Sequence, residues 1–383
     1  MTHDWHTDDF PELRAGPPWV MQEMIAAQPP VIEALLDAPP AGVPEAGKMI
    51  SAALAQGHPV VVCGCGTSEH AAQGISLLLS TAATPEQSPQ VRARAAFSVA
   101  LDPEPGVCVV VSHEGETRAT NLALRASRDA GARTIAITQR SDSNAARTAD
   151  HVLVTPSHDD SWCHTLAYTS ALATGAALGR HIGQLRADPV AAREVLARAA
   201  TDARAAEIAD RLADRRVVLC AGAGADHVTA RELALKIAEG ARLPTIGLEL
   251  ETVLHGQLAG HEPSDALILV AVTDDAKRER IARRAAHVAR AAAAIDLPVA
   301  GILSGAYDEA LPSELAPAGR IVIELPDPRV LDGSLAGLLA GAGALQMVTL
   351  ELAHSRQTNP DLIRREQAPY RRAAEEAESS ADW

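Results

Sequence analysis

One feature narrows the possible folds of this chain more than any other. A short apolar run, a turn of small residues and a helix-spaced segment form a unit, and the unit occurs twice. The run 60–63 meets a turn holding Gly64 and Gly66, then Thr67 and Ser68, with helical spacing through Leu79. The run 217–220 meets Ala221-Gly222-Ala223-Gly224-Ala225-Asp226, with a helix expected over 229–241. Gly64 and Gly66 relate to Gly222 and Gly224 by one fixed offset, the mark of an internal duplication. Short, continuous apolar runs alternating with helices are what a parallel sheet covered on both faces requires.

The remaining runs complete the pattern. After the first unit, 107–111, 134–138 and 151–155 read as strands, with helices to Ala130 and near Asn144. After the second, 266–272, 299–303 and 320–325 read as strands, and 335–354 as a long Ala/Leu helix before a charged tail. Apolar spacing over 19–36 is helical but interrupted by Pro29 and Pro30, so two helical pieces are expected there. The expected class is α/β, with two tandem doubly wound parallel-sheet domains and flanking helices. The expected divisions are 1–48, 49–195, 196–350 and 351–383, with the linker near the Ala/Arg/Asp-rich stretch 185–213. Aromatics are only 2% against 47% apolar residues, so the cores must be built from Ala, Val, Leu and Ile rather than an aromatic filling.

Charge and cysteine usage exclude several function classes. A formal net charge of −15 leaves no basic footprint for nucleic acid. The start, MTHDWHTDDF, lacks the basic and apolar regions of a secretion signal, and no unbroken apolar run has the length of a membrane span. The odd set of Cys63, Cys65, Cys108, Cys163 and Cys220 reads as reduced thiols of a cytoplasmic protein. Cys63 and Cys65 have no second pair at zinc-site spacing.

Three groups of residues could carry chemistry. Thr67 and Ser68 in one turn, and Ser112 and Thr117 in another, put hydroxyls at the carboxyl ends of parallel strands, where open α/β sheets bind ligands. Such hydroxyls are either helix caps or, with the free N–H groups beside them, an anion site. Two such turns on one sheet favour a ligand. Glu232, Lys236 and Glu239 share a helix face at i, i+4 and i+7. That spacing fits a solvated salt-bridge ladder as well as an active site. His255-Gly256 lies in 249–260, a stretch with little periodicity, and by itself reads equally as a surface histidine.

Together these segments resemble the double SIS (sugar isomerase) domain family, of flavodoxin-like fold. The likeness is greatest to the isomerase half of glucosamine-6-phosphate synthase and its catabolic deglycase and deaminase relatives. Met21-Gln22-Glu23-Met24-Ile25 through Gln28-Pro29 is similar to the family's opening helix. Gly64-Cys65-Gly66-Thr67-Ser68 resembles its first sugar-binding turn, and Ser112 to Thr117 its phosphate loop. Ala167-Tyr168-Thr169 looks like the helix after its third binding loop. Glu232-Leu-Ala-Leu-Lys236-Ile-Ala-Glu239, followed by His255-Gly256, is the most specific likeness. The resemblance implies that Glu239 moves a proton between C1 and C2 and that Lys236 orients it or polarises a sugar oxygen. His255 would assist ring opening from a partner subunit of a homodimer. Gly66, Thr67, Ser68, Ser112, His113, Glu114, Thr117, His164, Glu232 and Arg365 would line the substrate site.

The departures from the pattern bear on the substrate. The family's Ser-Gln-Ser-Gly-Glu-Thr stands here as Ser112-His113-Glu114-Gly115-Glu116-Thr117. A carboxylate beside a phosphate is repulsive, so Glu114 points away, His113 compensates, or the sugar is unphosphorylated. His164 replaces a small hydroxyl residue. The position of the synthase's Schiff-base lysine falls on Arg365, which cannot form an imine. The sequence contains no glutaminase region or N-terminal cysteine to supply ammonia. The resulting expectation is an aldose–ketose isomerase or deaminating isomerase of a sugar or sugar phosphate, not a glutamine-dependent synthase. It needs no cofactor and no metal, although His113 and His164 are the pair that would suggest one. A phosphosugar-binding regulator, a deglycase of a glycated amine and an isomerase of an unphosphorylated sugar are the alternatives.

Overall fold

The computed structural model describes residues 12–156, 158–312 and 315–379. The chain opens with α1 (Val20–Asp37) and α2 (Val43–Ala55). The first sheet domain follows as β1 (Val60–Gly64), α3 (Thr67–Ala82), β2 (Val91–Ala95), α4 (Ala96–Leu101), β3 (Val107–Val111), α5 (Arg118–Asp129), β4 (Arg133–Thr138), α6 (Asn144–Thr148), β5 (His151–Val154) and α7 (Leu166–Ile182). The connecting helices α8 (Pro189–Ala199) and α9 (Arg204–Leu212) occupy the Ala/Arg-rich linker. The second domain runs through β6 (Val218–Gly222), α10 (Ala225–Lys236), β7 (Thr245–Glu249), α11 (Leu250–Leu254), β8 (Ala266–Ala271), α12 (Arg278–Ala293), β9 (Val299–Ser304), α13 (Gly305–Ala310) and β10 (Arg320–Ile323). The long helix α14 (Gly333–Ser355) and a final α15 (Ala368–Ser379) complete the described chain.

The two sheets have the same topology. The first is ordered β2-β1-β3-β4-β5 and the second β7-β6-β8-β9-β10, every pair parallel. Each is the doubly wound flavodoxin-like order, whose ligand crevice opens where the strand order reverses. In the first sheet that point lies between β1 and β3, directly below the turns at 64–67 and 112–117. The central strands β1, β3, β6, β8 and β9 are wholly buried.

The turn after the first strand is the same object in both domains. Gly66 (φ 57°) and Gly224 (φ 60°) take a positive φ that a β-carbon resists. A Cβ on Gly64 would sit 2.5 Å from the Ser68 carbonyl oxygen, and one on Gly222 2.3 Å from that of Asp226. The clash is with helix backbone, so no side-chain rotation relieves it. Gly222→Ala should therefore destabilise the protein by about 3 kcal/mol, the upper end of ordinary overpacking costs. A urea midpoint within error of the unmutated protein would refute this.

Several expectations require correction. The edge strands β2 and β7 are absent from the sequence reading. Each pairs on one side only, and β2 alternates arginine with alanine (Val91-Arg-Ala-Arg-Ala), so neither presents an apolar run. The segment 249–260 is not irregular throughout, because α11 forms there. The first helix is continuous through Pro29 and Pro30 rather than two pieces. The carbonyl of Ile25, which loses the N–H of Pro29, accepts instead from Gln28 Nε2 at 3.3 Å. Helices α2, α8 and α14 run continuously across 48/49, 195/196 and 350/351. A single core runs through residues of both sheets and α14.

Finally, α14 does have the length and hydropathy of a membrane span, 23 residues with a mean hydropathy of 1.5 in its best window. That window is 89% buried inside the protein. The sequence reading passed over it because Thr349, Gln346 and several glycines interrupt the apolar run.

Candidate active site

The cleft sits at the carboxyl ends of β1, β3 and β4. Thr67 and Ser68 line it from the start of α3, His113 and Thr138 from the strand ends, and His164 and Tyr168 from the opposite wall. Two buried polar atoms on that wall, His164 Nδ1 and the Tyr168 hydroxyl, have no hydrogen-bond partner. His164 Nδ1 also lies 3.9 Å from Asp159 Oδ2, and buried polar atoms are seldom left unpaired. Burial, the neighbouring His164 and the nearby His158 push the His113 pKa down to about 3, opposed by Asp159. Burial and Lys236 push His164 to about 3. Both rings are neutral at physiological pH.

The loop that carries His164 is held by Asp159, which sequence reasoning missed. Its carboxylate accepts from the N–H groups of Thr165 (2.7 Å), Ala167 (3.0 Å) and Ser161 (3.3 Å) at the start of α7. Burial raises its pKa. Asp361, from the tail, plays a similar part at the start of α1, accepting from Val20 and Met21 N–H and from the Ser161 hydroxyl. Arg365 follows in the same tail, its guanidinium 4.8 Å from the centre of the Trp162 ring beside the cleft.

The loop 112–117 is organised by its own hydroxyls. Ser112 is buried; its Oγ accepts the Gly115 N–H at 3.2 Å and donates to Thr117 Oγ1 at 3.4 Å. Thr117 stands at the N-terminus of α5. Glu114 is turned outward from these hydroxyls. Its Oε1 accepts from Gln139 Nε2 at 3.1 Å, and its Oε2 lies 3.8 Å from Arg140 Nη1. Glu114 Oε1 also lies 3.6 Å from His113 Nε2, so the geometry combines the first two ways to reconcile Glu114 with the loop.

Behind the cleft, α10 delivers the acidic and basic groups. Glu232 and Lys236 are fully buried. Lys236 Nζ lies 3.8 Å from Glu232 Oε1 and is hydrogen-bonded to Glu239 Oε2. The E-x-x-x-K-x-x-E spacing is thus no solvated ladder. Glu239 occupies a π-helical turn (Ile237–Ala241) that continues α10, a local widening common at functional sites. Arg242, in the left-handed conformation, ends that turn, and the Thr358 hydroxyl bonds the Gly240 carbonyl at 2.8 Å. The tail therefore fixes the position of Glu239, whose side chain remains 22% exposed.

The charges in this group are unequal. Burial pushes the Glu239 pKa up, and Lys236 only partly offsets it. Burial acts on Glu232 in the same sense, but Lys236, His70 and Thr67 together outweigh it and lower its pKa. Burial disfavours the Lys236 charge, yet Glu239, Cys163 and Glu232 raise its pKa and keep it protonated. His70, also missed in the sequence, places Nδ1 2.6 Å from Glu232 Oε2. It is the one imidazole on an otherwise small and apolar buried face of α3. That face meets α10 from the other domain, where Glu69 also pairs with Arg231 at 3.0 Å. The start of α3, where Thr67 and Ser68 line the cleft, also carries His70 to Glu232, so the acid–base group lies directly behind the cleft wall.

His255 stands apart. Its ring is 69% exposed and its Nε2 meets Glu251 Oε1 at 2.8 Å, with Arg284 bonded to the same carboxylate. The second domain's version of the cleft is filled by its own side chains. Asp226, at the position of Ser68, accepts from the Thr273 N–H at 3.0 Å and hydroxyl at 2.9 Å. Burial pushes its pKa up to about 7. A buried carboxyl there leaves no room for an anionic ligand, so the duplicated fold carries its open cleft in the first domain.

Fold and site together define an SIS-like α/β protein with two parallel five-stranded sheets and a cleft at the strand ends of the first. Residues 53–179 match the SIS domain family. The chain is 30% identical over 235 residues to glutamine--fructose-6-phosphate aminotransferase [isomerizing] 2 of Mus musculus, covering 56% of this chain and 33% of that protein. It is 29% identical over 271 residues to the Pyrobaculum aerophilum glutamine--fructose-6-phosphate aminotransferase [isomerizing], covering 67% and 44%. The chain thus spans less than half the length of these curated relatives. Among solved structures, the C-terminal domain of glucosamine-fructose-6-phosphate aminotransferase from Francisella tularensis superposes with a TM-score of 0.75. Its identity is 18%, over 91% of this chain and 99% of that one. Tagatose-6-phosphate ketose/aldose isomerase from Escherichia coli gives 0.70 at 17% identity, over 93% and 98%.

Proposed function

We propose that this chain is an isomerase of a phosphorylated sugar or amino sugar, transferring a proton between C1 and C2 and releasing the amine where the substrate carries one. The observation that carries this reading is the Glu232–Lys236–Glu239 group. A partly exposed carboxylate with a raised pKa is held by a buried ammonium, and the group is tied through Glu232 and His70 to the helix α3 whose Thr67 and Ser68 line the cleft. Glu239 takes the proton from one carbon and returns it to the next, a task suited to a carboxylate whose pKa is moved towards neutrality by burial. Lys236 orients Glu239 and keeps Glu232 ionised. The hydroxyls of Thr67, Ser68, Ser112 and Thr117, with the N-termini of α3 and α5, receive the phosphate. The contacts of Glu114 with Gln139, Arg140 and His113 support this reading, because they offset its charge beside a phosphate. The names of the solved relatives support the same substrate class, since one acts as a tagatose-6-phosphate ketose/aldose isomerase.

Arg365 offers a guanidinium where a Schiff base needs a primary amine, which separates this chemistry from amide-nitrogen transfer. The exposed His255 serves the site of a second copy in a homodimer, where it assists ring opening. The free cysteines fit a reducing, cytoplasmic setting.

The test is a thermal-shift panel of hexoses and amino sugars, each with and without its 6-phosphate, followed by assays of aldose–ketose conversion and ammonia release on those that bind. Only the phosphorylated forms are expected to stabilise the protein. Ser112→Ala should weaken them by about 10-fold, the loss of one hydrogen bond to a charged group, and leave free-sugar binding unchanged. Stabilisation by free sugars alone would overturn the phosphate assignment.

A further inference from the structure

The residues that depart from the expected phosphate-loop pattern converge with a third side chain on one point. His113 and Glu114 follow β3, and His158 comes from the loop after β5. Glu114 Oε1 lies 3.6 Å from His113 Nε2 and 3.6 Å from His158 Nδ1, and the ligand atoms of all three fall within 4.8 Å of one another. The two imidazoles stack at 5.5 Å. A zinc ion with bonds of about 2.0–2.1 Å sets tetrahedral ligands roughly 3.4 Å apart, so little movement is needed. We propose that His113, Glu114 and His158 form a binding site for a divalent transition-metal ion of the zinc class at the mouth of the cleft.

Two imidazole nitrogens and one carboxylate oxygen are the donor set such ions prefer over magnesium or calcium. Three protein ligands leave coordination positions open, and His113 also lines the cleft, so the site adjoins it. The surroundings are those of a metal ligand. Gln139 Nε2 donates to Glu114 Oε1 at 3.1 Å, and Arg140 Nη1 stands 3.8 Å from Glu114 Oε2, leaving lone pairs on Oε1 for the ion. His164 packs against the other side of His113, ring centres 5.0 Å apart, and limits its rotation. One interaction must be exchanged: His113 Nε2 accepts the Asp159 N–H at 3.2 Å, and coordination takes over that lone pair. Asp160 Oδ1, 3.7 Å from His158 Nε2, can orient the second imidazole.

The site is tested with the metal alone, so its failure and that of the sugar reading are separable. The full chain is dialysed against EDTA and titrated calorimetrically with Zn²⁺, with the visible spectrum of added Co²⁺ as a second readout. A single saturable site per chain is expected, with the intense absorption of low-coordinate Co²⁺. Glu114→Gln and His158→Ala should each weaken binding by more than about 100-fold, since even outer-shell partners are worth about 10–100-fold. His158 is half exposed, and equal metal-free melting curves will show that its variant folds. His287→Ala, on the exposed face of α12, should bind as the unmutated chain does. Absence of saturable binding, or binding that survives Glu114→Gln and His158→Ala, overturns the proposal.

Discussion

Glu239→Gln is expected to lower kcat by about 10²–10⁴-fold, the range a positioned acid–base group supplies. Sugar-phosphate affinity should stay within about threefold of the unmutated protein, because an interaction made only in the transition state is removed. Glutamine keeps the shape of the side chain and its carbonyl still accepts from Lys236, so the π-helical turn and its anchorage to Thr358 persist. The pH dependence gives a second readout. Burial holds the Glu239 carboxyl above the ordinary carboxylate range, and a base works only when deprotonated. The rate should therefore rise with pH through a midpoint above about 4.3, and that acidic limb should vanish in the glutamine variant. Turnover like that of the unmutated chain, or an unchanged acidic limb, would remove Glu239 from the proton transfer.

The parts of this site that sequence reading reached share a physical property: each is encoded locally. Gly64 and Gly66 had to be glycine because backbone approaches backbone within a single turn, and their repetition at Gly222 and Gly224 exposed the duplication. The Glu232, Lys236 and Glu239 spacing was visible, but its meaning was not. A solvated ladder and a buried triad have the same period, and only the packing of α3 and α14 over α10 separates them. His70 and Asp159 were illegible for a related reason. The partner of His70 lies across the domain interface, and Asp159 caps a helix several residues downstream. Strands β2 and β7 escaped because an edge strand buries one flank and tolerates arginine. Glu114 read as a contradiction while the loop was considered alone. Its neighbours Gln139, Arg140 and His158 arrive from the next two strand ends, and with them its orientation has a cause. His255 is exposed in a single chain, which fits the proposed role only if a second copy receives it.

The buried triad makes a sharper claim about stability than about rate, and Lys236→Met tests it. Methionine fills much of the lysine volume, but Glu232 is left fully buried beside His70, and Glu239 loses its ammonium. Removing one partner of a buried ionic group typically costs about 3–5 kcal/mol, and that loss is expected near pH 8. The pH dependence should also change sign. In the unmutated chain the lowered Glu232 pKa contributes stability above the unfolded value of about 4.3, lost as pH falls through the folded pKa. Without Lys236, burial and mutual repulsion leave both carboxyls with raised folded pKa values. The folded chain then holds more protons than the unfolded one, so this contribution is full below about 4.3 and is lost as pH rises. Urea unfolding of the variant should show a smaller deficit near pH 5 than near pH 8, about 1 kcal/mol or more apart. Adding Glu232→Gln should recover part of the deficit at the higher pH, because it deletes the stranded charge. A deficit that is small or the same at both pH values would mean that water already solvates the triad. Glu239 would then lack the desolvation that raises its pKa, and the proton-transfer assignment would lose its physical basis along with the stability claim.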